Sequence, residues 1–267
     1  MNWNHIKTVL VFLFLIINIY LVYSSYPLNI NGTSKTVFDT KTIKQTSEIA
    51  EKNFGIKVDQ NVIPTKLINL KYVNSANIIY TEKFENSGYR FILENGNFSA
   101  NIDTTTYSYN ENTALSEMKI FLNNIGIDEG AYTLSVTKSD EGLVCSAFEN
   151  ILEYSVFNGK ITGIFKPSTM QIRGRWYIPE NNDIKSKNAS LKMVSVAGVI
   201  IDVAQKMQTE LTGKEITNIQ YGYYVSYYDE NAVSKSASAI PCYMVITDSG
   251  YKYYYDAING KSLKQEE

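Results

Sequence analysis

The chain has 267 residues, of which 44% are hydrophobic and 19% are charged, and its formal net charge is -2. This composition is that of a folded protein rather than a disordered one, and the length allows one large or two small domains. The small net charge, together with the absence of a local run of lysines and arginines, excludes the electrostatic footprint of a nucleic-acid-binding protein.

The first predicted element is a helix that spans a membrane near the N-terminus. Residues Thr8–Tyr23 are apolar except for the first residue and Asn18, and no charged residue follows before Lys35. Counted from Thr8 to Tyr26, the run reaches the roughly 17–20 residues that a membrane span needs. Because Lys7 lies before the run and no basic residue follows it closely, the positive-inside rule places the N-terminus in the cytoplasm. We therefore expect residues 1–26 to form a cytoplasmic stub and a single-pass anchor in the cell membrane, with the bulk of the chain extracytoplasmic.

Five side chains of this segment are candidate contact sites. Trp3 and Lys7 are placed at the inner membrane interface, and Tyr20 and Tyr23 at the outer one, where aromatic residues are enriched. Asn18 is an amide inside the apolar run, and it either contacts another transmembrane helix or lies near the outer interface and reaches water. Asn18, Tyr20 and Tyr23 are the candidate contacts with a transmembrane partner. A cleaved secretory signal peptide is the alternative to an uncleaved anchor.

A first extracytoplasmic module is predicted over residues 27–166. Helices are predicted at 39–54, ending before a glycine, and at Thr113–Ile125. Hairpin turns are predicted at Glu94–Asn97 and at Asn158–Gly159. Strands are predicted at Leu67–Val73, Ile78–Phe84, Tyr89–Leu93, Phe98–Tyr107, Ala131–Thr137, Leu143–Ala147, Ile151–Phe157 and Lys160–Phe165.

Residues 167–267 are predicted to form a second module that is related to the first. After an irregular link, a helix runs from Ser195 to Leu211, and the turn Asn259-Gly260-Lys261 repeats the earlier Asn158-Gly159-Lys160. Strands are predicted at Glu215–Tyr228, Cys242–Thr247 and Tyr251–Ala257. Helices packed on one face of an antiparallel sheet follow from this order. The expected fold is therefore α+β, with a single N-terminal transmembrane helix and an ectodomain of two helix-plus-antiparallel-sheet modules.

Few residues of this chain could carry catalysis or bind a metal. The single histidine, His5, precedes the apolar run, so the extracytoplasmic part cannot hold a Ser-His-Asp triad or a histidine-ligated zinc. Ser116 and Lys119 match a Ser-x-x-Lys pattern, but helical periodicity places both on a solvated face. Cys145 and Cys242 lack metal-ligand spacing and are either buried thiols or, in an oxidising compartment, a disulfide. We expect no enzymatic activity, no metal and no cofactor.

The opening residues resemble a known family of regulatory proteins. Met1-Asn-Trp-Asn-His-Ile-Lys-Thr8, followed by the apolar run, is similar to the start of the YycI proteins of Gram-positive bacteria, which begin Met-Asp-Trp-x-x-x-Lys-Thr. Asn2 replaces the usual aspartate, the tryptophan, lysine and threonine match, and Asn18 occupies the polar position of the family's apolar helix. Later stretches that resemble the family are Phe54–Pro64, Tyr221–Tyr224, Ile240–Tyr243 and Gly250–Gly260. Cys242 and Tyr243 depart from the family's Ala-Trp.

The resemblance implies a non-enzymatic membrane regulator. YycI proteins associate with the sensor histidine kinase YycG (WalK) and with YycH, and so modulate genes of cell-wall metabolism. Their ectodomain is similar to the C-terminal domains of YycH, and much of the regulatory contact is attributed to transmembrane helices, which favours a helix contact for Asn18. The implied partners are a YycG/WalK-like kinase, a YycH-like protein and the lipid bilayer. The alternative is a PepSY-like extracytoplasmic binding or protease-inhibitor module, because Tyr251–Lys261 resembles the hairpin with which those domains end.

Overall fold

The computed structural model describes residues 40–64, 70, 72–105, 108–180, 193–226 and 236–266. The helices in these ranges are α1 (Thr40–Phe54), α2 (Glu82–Glu85), α3 (Glu111–Asn124) and α4 (Val196–Glu210). The strands are β1 (Lys57–Val58), β2 (Val73–Asn77), β3 (Ile92–Glu94), β4 (Asn97–Asp103), β5 (Tyr132–Ser139), β6 (Gly142–Ile151), β7 (Tyr154–Lys166), β8 (Thr169–Arg175), β9 (Tyr177–Pro179), β10 (Glu215–Ser226), β11 (Ser236–Thr247), β12 (Lys252–Asp256) and β13 (Ser262–Glu266). The fold is mixed α+β, as the sequence predicted, and it is mostly sheet.

The strands form two sheets that share β7. The first sheet is antiparallel and has the order β5-β6-β7-β8-β4-β3. The second sheet has the order β13-β12-β11-β10, with β1 beside β10, β2 beside one end of β11, and β9 beside β2. Each sheet has helices packed on one of its faces.

Helix α3 covers one face of the first sheet. Its start is fixed by Asn110, whose side-chain oxygen accepts a hydrogen bond from the N–H of Thr113 (3.0 Å), while Thr113 Oγ1 accepts one from the N–H of Asn110 (2.9 Å). The chain leaves the helix through Gly126, whose φ is +90°. Its buried residues recur at helical spacing, and they are Ala114, Met118, Phe121 and Leu122. The predicted helix Thr113–Ile125 is therefore confirmed.

Helices α1 and α4 pack together on the second sheet. Ser195 caps α4 by accepting a hydrogen bond from the N–H of Ala197 (3.2 Å), and the core between these helices includes the fully buried Ala50. The predicted division into modules 27–166 and 167–267 stays a prediction. In the described residues, α1, which belongs to the predicted module 27–166, shares a hydrophobic core with α4, which belongs to the predicted module 167–267.

The segment that was predicted as a strand at Ile78–Phe84 is not a strand. It forms a 3₁₀ turn, Ile78–Tyr80, followed by α2. The side chain of Asn77 accepts a hydrogen bond from the N–H of Ile79 (3.3 Å), and Thr81 Oγ1 accepts one from the N–H of Phe84 (3.4 Å). Such local side-chain bonds offer the backbone an alternative to a strand ladder, which is why the apolar pattern misled the prediction.

Strand β7 belongs to both sheets. Along one edge it pairs with β6 at both of its ends, with an irregularity between Phe148 and Asn150 of β6. Along its other edge it pairs with β8 from Lys166 to Lys160, and in parallel with β10 at Val156, which is opposite Tyr223. The side chain of Asn158 extends this second pairing, because its Nδ2 donates to the carbonyl of Val225 (2.8 Å) and its Oδ1 accepts from the N–H of Val225 (2.9 Å). We call the place where the partner of β7 changes from β8 to β10, and where its ladder with β6 is irregular, the fork.

The hairpin turn predicted at Asn158–Gly159 is wrong, since both residues lie within β7. The turn between β6 and β7 is formed by Leu152 and Glu153, whose φ angles are +51° and +70°. Positive φ at both central residues is the geometry of a tight two-residue hairpin, which Asn-Gly normally favours. Here the amide of Asn158 binds a neighbouring strand, and Gly159 provides space at the fork.

Among the described residues, no helix is long and apolar enough to cross a membrane. The predicted anchor at residues 1–26 lies outside the described residues.

Candidate functional site

Three cations lie on two neighbouring strands, on the face of the first sheet opposite α3. Lys160 of β7 is directly opposite Arg175 of β8, and Arg173 lies two residue pairs further along, on the same face and opposite Thr162. Opposed residues of antiparallel strands have Cβ atoms about 4.5–5.5 Å apart, and diagonal neighbours are about 7–8 Å apart. We call Lys160, Arg173 and Arg175 the cationic row. Like charges at such positions repel each other, so the row lowers the stability of the sheet that carries it.

Contacts with neighbouring residues hold two of these cations in place. Arg175 donates from Nε to Asn97 Oδ1 (3.1 Å) and from Nη2 to the carbonyl of Asn95 (2.9 Å), both in the turn region between β3 and β4. The Nζ of Lys160 lies 5.0 Å from the centroid of the Phe148 ring, within the range of a cation–π contact. The two charges are therefore positioned before any ligand binds.

Strands β12 and β13 bring two more lysines to this region. The ring of Phe157, on β7, lies 5.9 Å from that of Tyr254, on β12, and the rings of Tyr224 and Tyr254 are 5.2 Å apart. Lys252 lies on the same face of β12 as Tyr254, and Lys264 of β13 is directly opposite Tyr254. The aromatic contacts thus bring the lysine-bearing hairpin of β12 and β13 towards β7.

The electrostatics of Lys160 reflect this accumulation of positive charge. Partial burial lowers the pKa of Lys160, and the positive charges of Lys252 and Arg173 lower it further. Lys264 differs, because it forms an ion pair with Glu266 (2.7 Å) that raises the pKa of Lys264. The charge of Lys160 is therefore disfavoured by its neighbours, and a bound anion would relieve that effect.

The acidic side chains that share these strand faces have other partners or lie further away. Glu266 pairs with Lys264, as described above, and it is directly opposite Lys252 in the strand register. Asp256 is buried, and its carboxylate accepts hydrogen bonds from the turn between β12 and β13. Glu94 lies on the edge strand β3, opposite Asn97 and thus one strand beyond Arg175. None of these three carboxylates occupies a position opposite Lys160 in the strand register.

A buried carboxyl group, that of Glu149, lies at the fork, where the ladder between β6 and β7 opens. Its residue is 1% exposed; Oε2 accepts a hydrogen bond from the N–H of Tyr177 (3.1 Å), while Oε1 has no hydrogen-bond partner among the described residues. Burial raises the pKa of Glu149 well above its ordinary value of 4.5, and the Tyr177 N–H lowers it in part. A Cβ at position 159 would collide with Oε2, so the carboxyl group fits only because residue 159 is glycine.

An open cleft of about 700 Å³ lies near the start of α3 and the turns that follow β5 and β7. Its described lining includes Glu111 of α3 and Lys138 of β5, together with Tyr109 and Phe165. Opposite charges and mixed polar and apolar walls select no particular ligand, and we assign none to it.

The structure describes only some of the residues that the sequence singled out. Trp3, Lys7, Asn18, Tyr20 and Tyr23 lie outside the described residues, so their predicted membrane and partner contacts stay predictions.

Among the residues singled out elsewhere, Ser116 and Lys119 lie on the exposed side of α3, and Lys119 pairs with Glu129 (3.8 Å). Cys145 and Cys242 are free and buried, and burial raises the pKa of both thiols, that of Cys145 to about 11. Of the two alternatives for the cysteines, the structure has buried thiols. In the described ranges, no group of three or more His, Cys, Asp or Glu residues could hold a metal ion.

The sequence did not predict the cationic row. The available local signal was the alternation Arg173-x-Arg175, which places two cations on one face of a strand. The other cations come from β7, β12 and β13, and only the tertiary pairing of those strands brings them near.

Comparisons with known proteins do not establish a family. No family model matches the chain, and no curated protein matches it. An uncharacterized protein from Eubacterium rectale is similar in structure, with 11% sequence identity, 78% of this chain and 89% of that chain covered, and a TM-score of 0.43. The C-terminal domain of Bacillus megaterium YpeB is also similar, with 11% identity, 64% and 70% covered, and a TM-score of 0.33. Similarities at these scores assign neither a family nor a function to this chain.

Proposed function

We propose that this protein is a non-enzymatic, membrane-anchored regulator of a sensor histidine kinase that controls cell-wall metabolism. The observation that carries the proposal is the N-terminal sequence, in which Trp3, Lys7 and Thr8 match the YycI pattern and a single amide, Asn18, interrupts an apolar run. Such a segment suits a helix that both anchors the chain and contacts another helix in the bilayer. The regulator acts together with a YycH-like partner.

The proposed contact is strong enough to regulate a kinase. A hydrogen bond from an amide between transmembrane helices contributes roughly 0.6–2 kcal/mol. Changing the ratio of two kinase states tenfold requires about 1.4 kcal/mol of differential contact energy. One bond from Asn18 that forms in only one kinase state therefore suffices.

The described part of the chain offers a way to transmit a signal to the anchor. Helix α1 begins at Thr40 and is the first described element after the proposed span. It packs against α4 through the fully buried Ala50. Because packed cores rearrange in discrete steps rather than deform continuously, a ligand or partner that shifts α4 would also shift α1.

Co-purification from membranes tests the role of the anchor. The full-length protein is expected to capture the sensor kinase, and a chimera with residues 1–26 replaced by an unrelated single-span anchor is expected to lose it. Asn18→Leu should weaken capture and change kinase output, whereas the matched control Ile17→Leu, which replaces one apolar residue with another, should change neither. Capture by the chimera would move the interface outside the membrane, and unchanged output with Asn18→Leu would refute the role of that amide.

A PepSY-like binding or protease-inhibitor module is the second candidate. It is favoured by the hairpin of β12 and β13, where Tyr253 and Tyr255 are buried against α4, and Tyr255 shares a polar contact with Asp202 and Lys206. Inhibition of a secreted protease by this protein, without kinase capture, would support this candidate. A gene neighbourhood with a sensor kinase and a YycH-like gene would support the first.

A further inference from the structure

We propose that the cationic row, with Lys252 and Lys264 beside it, is a binding site for a linear polyanion that bears phosphate groups. The site lies on the first sheet and on the hairpin of β12 and β13, and its function does not depend on the proposed contact with a kinase. The proposal rests on charge complementarity, on the strand register and on the contacts that position the cations.

Charge is the first argument. Lys160 and Arg175 are directly opposed, and Arg173 is the diagonal neighbour of Lys160 on the strand that carries Arg175. An arrangement of like charges costs stability, and an anion that bridges the charges converts repulsion into attraction. The full chain carries a formal net charge of -2, so this local excess of positive charge is opposite in sign to the protein as a whole.

Geometry favours an extended ligand over a single small anion. The row lies on the adjacent strands β7 and β8, and the two lysines lie on the adjacent strands β12 and β13, where Lys264 is paired with Glu266; β10 and β11 lie between the two pairs of strands in the sheet order. Adjacent strands are about 4.8 Å apart. A single phosphate ion could contact two of these side chains, whereas a chain of phosphate groups could contact all of them in succession. The guanidinium of Arg175, already oriented by Asn97 and Asn95, presents a planar set of donors that suits phosphate oxygens.

The surroundings favour a polymer further. The rings of Phe157, Tyr224 and Tyr254 form a contiguous cluster between β7 and β12. The cluster joins β7, which carries Lys160, to the hairpin that carries Lys252 and Lys264, so a ligand that reaches both groups of cations passes beside it. A flexible chain of phosphate groups that is long enough to pass the cluster satisfies that requirement.

Binding of polyphosphate to the full-length protein in a neutral detergent tests the proposal. The wild type is expected to bind polyphosphate, and Lys160→Gln/Arg173→Gln is expected to bind at least tenfold more weakly. The matched control Lys52→Gln/Lys119→Gln removes two exposed lysines from α1 and α3 and should bind within twofold of the wild type. Added salt should weaken binding by the wild type more than binding by the row variant, because fewer ionic contacts remain in the variant.

Competitors distinguish the sources of phosphate. Inorganic phosphate at an equal concentration of phosphate groups should compete poorly, and vesicles with an anionic phospholipid should not bind more tightly than polyphosphate. The row variant should unfold at the same or a higher urea concentration than the wild type, because it has lost a repulsive pair. The proposal would be overturned if the wild type did not bind polyphosphate, or if both double variants lost binding equally. It would also be overturned if polyglutamate bound as tightly as polyphosphate, or if the vesicles bound more tightly.

Discussion

Replacing Glu149 with glutamine should remove a pH dependence of stability that arises at the fork. The side chain is buried, one oxygen accepts a hydrogen bond from Tyr177, and the other has no partner among the described residues. Glutamine has nearly the same shape, and its carbonyl can accept the Tyr177 N–H in place of the carboxyl oxygen. The substitution therefore removes a titrating group while it preserves the packing around Gly159.

The direction of the pKa shift sets the pH range in which stability changes, and the binding of one proton sets the slope of stability against pH. Burial raises the pKa of Glu149 in the folded protein well above 4.5, so between the unfolded and folded pKa values the folded state binds one more proton than the unfolded state. The stabilising contribution is fully present below about pH 4.5 and is lost as the pH rises through the folded pKa, at about 1.4 kcal/mol per pH unit. Glutamine does not titrate, so the variant should gain about that much relative to the wild type for each pH unit in this window. For a domain of this size, the corresponding shift in Tm is roughly 3–6 °C per pH unit.

Urea unfolding of both proteins at a series of pH values from 4.5 upward measures this difference. The two curves of unfolding free energy against pH should nearly meet at the acidic end and separate as the pH rises. Glu153→Gln is the matched control, because Glu153 is exposed in the adjacent turn and its loss should leave the wild-type pH profile unchanged. Parallel profiles for the wild type and Glu149→Gln would show that the buried carboxyl group does not hold a raised pKa.

Three further predictions concern the fork and the core. Gly159→Ala should destabilise the protein by about 1–3 kcal/mol, because the new Cβ would collide with the carboxyl group of Glu149. The second change Glu149→Ala should recover part of the lost unfolding free energy, and strictly additive losses for the two changes would contradict the collision. Asn158→Ala should cost about 1–3 kcal/mol and expose the amide of Val225 to hydrogen exchange, whereas unchanged protection there would contradict the ladder role of the side chain. The thiol of Cys145, buried and with a pKa raised to about 11, should resist alkylation at pH 8 until the protein unfolds, and labelling of the native protein at the rate of a free thiol would contradict its burial.

Elements whose determinants are local could be predicted from the sequence. The three long helices were found because each combines an apolar stripe with a terminal signal, such as Gly55 after α1 or Gly126 after α3. The turn at Asn95–Gly96 was found because the Asn-Gly pair favours positive φ, and both residues have positive φ in the structure. The strand predicted at Ile78–Phe84 failed for an equally local reason, since capping side chains outweighed the apolar pattern there.

The fork could not be predicted, because its residues acquire their roles only through strands distant in sequence. Asn158 and Gly159 have the sequence of a turn, but the amide of Asn158 pairs with Val225, and Gly159 leaves room for Glu149. A strand that must serve two sheets needs a polar substitute for its missing backbone partner and space for the side chain where the ladder opens. Both requirements are properties of the assembled sheets. The pair Asn-Gly therefore forms a turn at residues 95 and 96 but lies within a strand at residues 158 and 159.

The same reasoning explains why the candidate site was invisible in the sequence. A search for runs of basic residues detects charges that are close along the chain, whereas a sheet places charges together across strands and keeps sequence neighbours on opposite faces. Arg173 and Arg175 are close in sequence, yet Lys160 reaches them only because β7 and β8 pair in one register. A shift of that register by one residue would move Lys160 to the face that α3 covers, so the existence of the site depends on the pairing rather than on the composition.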